Sequence, residues 1–201
     1  MKLSIKTDFA DVQRAIKALP AQMADKVMFR TLNAVVAQAR TAMVREIRTE
    51  YAVTASYVRD RLVVRRARLV GARVDAQAEL RASTPGRKRS ANVIAFTARE
   101  VKAGVSVKIR RGGGRKVITG AFIGNKGRTV FARVPGTTMG SRTKYRGSQH
   151  AEQIKPVQTI DVPQMFNAQR INGAVVRVIE SRLRDVFARE LAYAMRQAGW
   201  K

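Results

Sequence analysis

From position 20 to position 51 the chain sets apolar residues three and four apart: Met23, Val27, Met28, Leu32, Val35, Ala39, Ala42, Met43 and Ile47. That spacing gathers them into one stripe of an α-helix, and no glycine or further proline interrupts it after Pro20. The pattern predicts a long helix from Pro20 to about Tyr51, docked lengthwise on other structure. A shorter helix is predicted ahead of it, from Thr7 or Asp8 to Leu19, with Phe9, Val12, Ile16 and Leu19 on one face. "VTASYVRDRL" then offers Thr54 as the N-cap of a further short helix reaching Leu62.

Beyond Leu62 the period falls to two. "ARVDAQAEL" sets Val74, Ala76, Ala78 and Leu80 against Arg73, Asp75, Gln77 and Glu79, the alternation of a half-buried strand. Three more strands are predicted at "GVSVKI" (104–109), "KVITGAFI" (116–123) and "RTVFARV" (128–134). Gly112, Gly113 and Gly114 join the first pair as a hairpin and "GNKG" (124–127) joins the second. Residues 135–153 are rich in glycine, serine, threonine and charge without periodicity, which predicts an exposed loop. "KPVQTIDVP" (155–163) is short and extended. From Pro163 helical spacing returns through Met165, Ile171, Val175, Ile179, Leu183, Val186, Phe187, Leu191 and Met195, with Gly173 as its expected weak point.

The order helices, strands, helix predicts an α+β fold in which long N-terminal and C-terminal amphipathic helices pack on a central antiparallel β-meander. It reads as one domain over 1–201, with helices about 8–62, the meander about 63–134, a basic loop at 135–153 and a terminal helix about 163–198. Apolar residues make up 45% but aromatics only 6%, so the core rests on helix contacts through small side chains.

Charge adds what periodicity leaves open. Lys and Arg number 40 against 14 Asp and Glu, a formal net charge of +26. Between Arg81 and His150 there are 17 Lys or Arg, and Glu100 is the one acid. The clusters fall in predicted loops and turns: Arg87, Lys88 and Arg89; Arg110, Arg111, Arg115 and Lys116; Arg142, Lys144 and Arg146. Long flexible cations on loops suit phosphate backbones, and they suit acidic protein surfaces equally well. These ten residues are therefore the candidate contacts to DNA or to an acidic partner. No helix-turn-helix, zinc finger or nucleobase-stacking pattern is visible, and Tyr145 reads as an exposed loop tyrosine.

Several function classes drop out. "GGGRKVITGAFI" runs on into β-rich sequence and lacks the Ser or Thr after lysine that a nucleotide-binding GxxxxGK[ST] loop needs before its helix. Without cysteine, thiolate metal sites and disulfides are excluded. The single histidine, His150, lies in the polar loop near Glu152, where solvation explains it better than catalysis. Asp8 with Asp11, and Glu46 with Glu50, read as a helix cap and a solvated face. No catalytic, cofactor-binding or metal site is expected, and no cofactor. "MKLSIKTDFADVQ" is broken by Lys6, Asp8 and Asp11 and so is no secretory signal, and no apolar run reaches membrane-spanning length.

Three stretches, in order, carry a family resemblance: "TAMVREIRTEYAVTASYVRDRLVVRRA"; "GAFI" (120–123) followed after a glycine turn by "TVFARV" (129–134); and "IKPVQTIDVPQMF" (154–166) leading into a charged terminal helix. Together with the strong basicity they resemble the minor tail protein Z family of long-tailed phages, over about Phe9 to Met195. The resemblance implies a structural virion protein of the head–tail junction, acting in tail completion within a homo-oligomeric ring. Its implied neighbours are the adaptor, the tail terminator, the portal-proximal ring and the genomic DNA end. It supplies no catalytic residue, and it carries over Phe122, Ile123, Val130 and Phe131 as structural positions of a strand pair. The alternative reading, from a different class, is a free non-specific nucleic-acid-binding protein that uses its basic loops.

Overall fold

The fold was obtained as a computed structural model, which describes residues 2–5, 17, 19–70, 73–74, 77–83, 90–137 and 152–199. The long apolar stripe folds as the periodicity predicts: helix α1 runs Ala21–Glu50 and buries Val27, Leu32, Val35, Val36, Ala39, Met43 and Ile47 completely. Thr54 caps the short helix α2, Ala55–Arg59, by accepting the Tyr57 N–H at 3.3 Å. The helix stops at Arg59, and Leu62 already belongs to a strand, so the predicted helix to Leu62 is three residues too long. The helix predicted over 8–19 lies outside the described residues except for Lys17, which is helical, and Leu19, which is not.

The chain divides into two compact units, one formed by 1–47, 58–85 and 162–201, the other by 48–57 and 86–161. In the first, β1 (Lys2–Ile5), β2 (Leu62–Arg65) and β5 (Ala78–Ala82) make an antiparallel sheet in the order β1–β5–β2, with Leu80 opposite both Leu3 and Val64. Between β2 and β5 a small hairpin pairs β3 (Leu69–Val70) with β4 (Arg73–Val74). The strand predicted over 72–80 is thus two strands in two sheets, with residues 75–76 outside the described ones. The expected alternation also fails at Glu79, which is 1% exposed between buried Ala78 and Leu80. A buried carboxylate needs partners. Arg81 Nε donates to it at 2.7 Å and Gln77 Nε2 at 2.9 Å.

The C-terminal stripe forms two helices, α3 (Val162–Phe166) and α4 (Gln169–Gln197). The break falls at Ala168, whose ψ of 121° takes it out of the helical region, whereas Gly173 lies undisturbed inside α4. Helix α4 buries Ile171, Val175, Ile179, Leu183, Val186 and Phe187. It runs antiparallel to α1. Arg30 near the start of α1 meets Glu190 (4.0 Å) and the Tyr193 ring (5.1 Å) near the end of α4, while Ala37–Glu46 share a groove with Ala174–Arg182. Asn33 in α1 ties down the stretch after β2, accepting the Ala67 N–H at 2.9 Å and donating to the Ala67 carbonyl at 3.3 Å.

The second unit holds two three-stranded antiparallel sheets, β7–β8–β9 (Arg99–Val101, Gly104–Val107, Lys116–Thr119) and β10–β11–β12 (Ala121–Gly124, Thr129–Val134, Gln153–Pro156). A short pair joins β6 (Ala91–Asn92) to β13 (Gln158–Thr159), and a 3-10 turn follows at Val93–Ala95. Val93, Val105, Val107, Ala121 and Val130 form the core, flanked by Ile118, Ile123 and Ala132. "KVITGAFI" is therefore not one strand: at Gly120 the backbone takes φ +69° and passes from one sheet to the other. Phe122 and Phe131 stand opposite each other across β10 and β11, half-buried, with ring centroids 5.8 Å apart. Ile123 and Val130, on the alternate positions, point to the core. Of the loop predicted at 135–153, residues 138–151 lie outside the described ones, and Gln153 already belongs to β12.

Candidate interaction surface

The hairpin joining β8 to β9 brings together Arg110, Arg111, Arg115 and Lys116, as the sequence predicts. Its register pairs Val107 with Lys116, which leaves residues 108–115 as the connecting loop. One side of that loop is tied to the end of α1: the Arg111 N–H donates to the Glu50 carbonyl at 2.8 Å and the Ala52 N–H donates to Ile109 at 2.9 Å. Tyr51 and Arg110 form the bridge between these two bonds, and the Arg110 guanidinium sits 5.8 Å from the Tyr51 ring centroid. Sequence reasoning missed Tyr51 here, because a contact between residues nearly 60 apart leaves no local signal.

Arg115 ties down the other side. Its Nε donates to Ser106 Oγ at 2.9 Å, and its Nη2 donates to the Ser106 and Thr97 carbonyls at 2.7 Å each. Three donors spent on the protein's own backbone and hydroxyl make Arg115 a fastener of the loop base. Arg110, Arg111 and Lys116 remain exposed, together with Gly112, Gly113 and Gly114, none of which takes a positive φ. The loop is thus a cationic tip on a fixed base.

The same sign extends over the whole unit. Its described residues include 12 Lys or Arg and four acids, of which Asp161 is fully buried and accepts the Tyr57 hydroxyl at 2.9 Å. Glu100 is also engaged, accepting the Ile123 N–H at 3.1 Å. What faces solvent is therefore mostly positive, the arrangement that attracts polyanions and acidic surfaces at long range. Arg87, Lys88, Arg89, Arg142, Lys144, Arg146 and His150 lie outside the described residues. Among the described residues no group of three or more His, Asp or Glu is placed to hold a metal ion, and no helix is long and apolar enough to cross a membrane.

No curated protein and no solved structure matches the chain. The family model for the prophage minor tail protein Z matches residues 10–198, which takes in both units and the basic hairpin between β8 and β9. With nearly its full length matched, the chain belongs to the prophage minor tail protein Z family and is a structural component of a phage tail.

Proposed function

We propose that this tail protein completes the tail and joins it to the filled head at the neck, as a ring of identical copies. The whole chain, 1–201, works as one tail-completion domain, and its task is scaffolding by shape and charge. Its ring neighbours are the adaptor, the tail terminator and the portal-proximal ring. Arg87, Lys88, Arg89, Arg110, Arg111, Lys116, Arg142, Lys144 and Arg146 contact the genomic DNA end or acidic surfaces of those neighbours, and Arg115 holds the hairpin in place. The observation that carries the reading is a cationic tip on a fixed base, in a chain that belongs to a tail-protein family.

Phage lacking the chain should accumulate full heads and separate tails, visible by negative-stain microscopy. Normal numbers of joined, infectious particles without it would sink the proposal. A free nucleic-acid-binding protein would instead bind duplex DNA as purified monomer, with affinity falling steeply as salt rises.

A further inference from the structure

The antiparallel helices α1 and α4 leave between them a groove of about 1030 Å³ that neither helix fills. Its floor is mostly small, with Ala37, Thr41 and Ala42 from α1 and Ala174 and Ser181 from α4 beside the larger Gln38 and Val178, so a third backbone can approach closely. At 1.5 Å per residue the stretch Ala37–Glu46 is about 13 Å long, room for roughly two and a half helical turns. Arg45, Arg177 and Arg182 stand on the rim, and Glu46 is the one acid among the described residues that line the groove. Arg177 and Arg182 are exposed, and Arg182 also reaches Asp185 at 3.8 Å.

We propose that this groove seats an amphipathic helix of a different tail protein, with an apolar stripe on the floor and acidic flanks against the arginine rim; the inference rests on the tail reading above. A small-residue groove between two helices receives a third by apolar anchors three and four apart, and the rim charges select the partner. A second copy of this chain fits poorly. Helix α1 carries five Lys or Arg against three acids and α4 six Arg against three, so either helix would bring more positive charge to a positive rim. Duplex DNA offers no apolar stripe for the floor.

Ser181 is small, exposed and lines the groove, which makes it the place for a photo-crosslinking residue such as p-benzoylphenylalanine. In irradiated, purified tails the main adduct should be an acid-rich helical segment of another tail protein. Arg177→Glu combined with Arg182→Glu should lower its yield at least tenfold while leaving the circular dichroism of the purified chain unchanged. An adduct with a second copy, an adduct with DNA, no adduct, or a yield indifferent to charge reversal would each overturn the proposal. Immunoblotting the same particles separates the two readings: a chain absent from tails sinks both, whereas a chain present in tails with the wrong adduct sinks only this one.

Discussion

Asn92 holds Val130 by both of its backbone groups. Its Nδ2 donates to the Val130 carbonyl at 3.0 Å, and its Oδ1 accepts the Val130 N–H at 2.9 Å and the Ile94 N–H at 3.1 Å. One amide side chain thus imitates a strand neighbour for β11 at the fully buried centre of the second unit's core. Asn92→Ala removes all three bonds and leaves the buried Val130 groups without that partner. The expected cost is about 2–4 kcal/mol, read by urea unfolding, with Val130 among the amides whose exchange accelerates most. A loss below about 0.5 kcal/mol would show that the clamp is dispensable.

Thr31 presents the opposite case. It is fully buried in α1, and its Oγ1 has no hydrogen-bond partner among the described residues. Thr31→Val keeps the shape and removes the stranded hydroxyl, so stability should rise by about 1 kcal/mol, or roughly 2–4 °C in Tm. A fall in Tm would mean the hydroxyl is satisfied after all.

Gly104 combines a φ of +145° with a position where a Cβ would lie 2.1 Å from the Ile118 carbonyl oxygen. Gly104→Ala should therefore separate β8 from β9 or unfold the unit, at a cost of at least about 3 kcal/mol. Soluble, cooperatively folding protein with wild-type Tm would contradict the close approach.

Arg115 and its neighbours should behave differently from one another. Replacing Arg110, Arg111 and Lys116 with serine leaves the fold and Tm nearly unchanged, because these side chains face solvent, yet should cut infectious yield at least tenfold. Arg115→Ala should instead lower stability by about 2 kcal/mol, since three hydrogen bonds to Thr97 and Ser106 go with it. Unchanged yield in the triple variant would reduce the basic tip to a solvated turn.

The sequence announced features with a short repeat and hid those made by distant partners. The stripe of α1, the Thr54 cap and the pairing of β10 with β11 all follow from periodicity, a capping residue or a four-residue turn. Glu79 departs from the alternation because that pattern assumes one wet face, whereas β5 lies between β1 and β2 and the Glu79 carboxylate is held by Arg81 and Gln77. Strand β1 escapes the pattern, although Lys2, Leu3, Ser4 and Ile5 alternate, because four residues carry little signal without their partner β5. The basic tip was legible as composition. That the Arg115 side chain fastens it by hydrogen bonds while Arg110 and Arg111 hold it through their backbone and present exposed side chains required three dimensions, since all are arginines within six positions of each other.

The interleaving of the two units bears on how the chain is made. The unit that opens the sequence needs residues 162–201 to complete it, whereas the other is fully specified once residue 161 has emerged. On the ribosome the later-starting unit can therefore be finished first, a reversal of the usual order in which the N-terminal domain folds ahead of the rest. Helix α1 must then wait for α4 before its own unit is complete. A nascent chain stalled before α4 should for that reason be the state most in need of a chaperone.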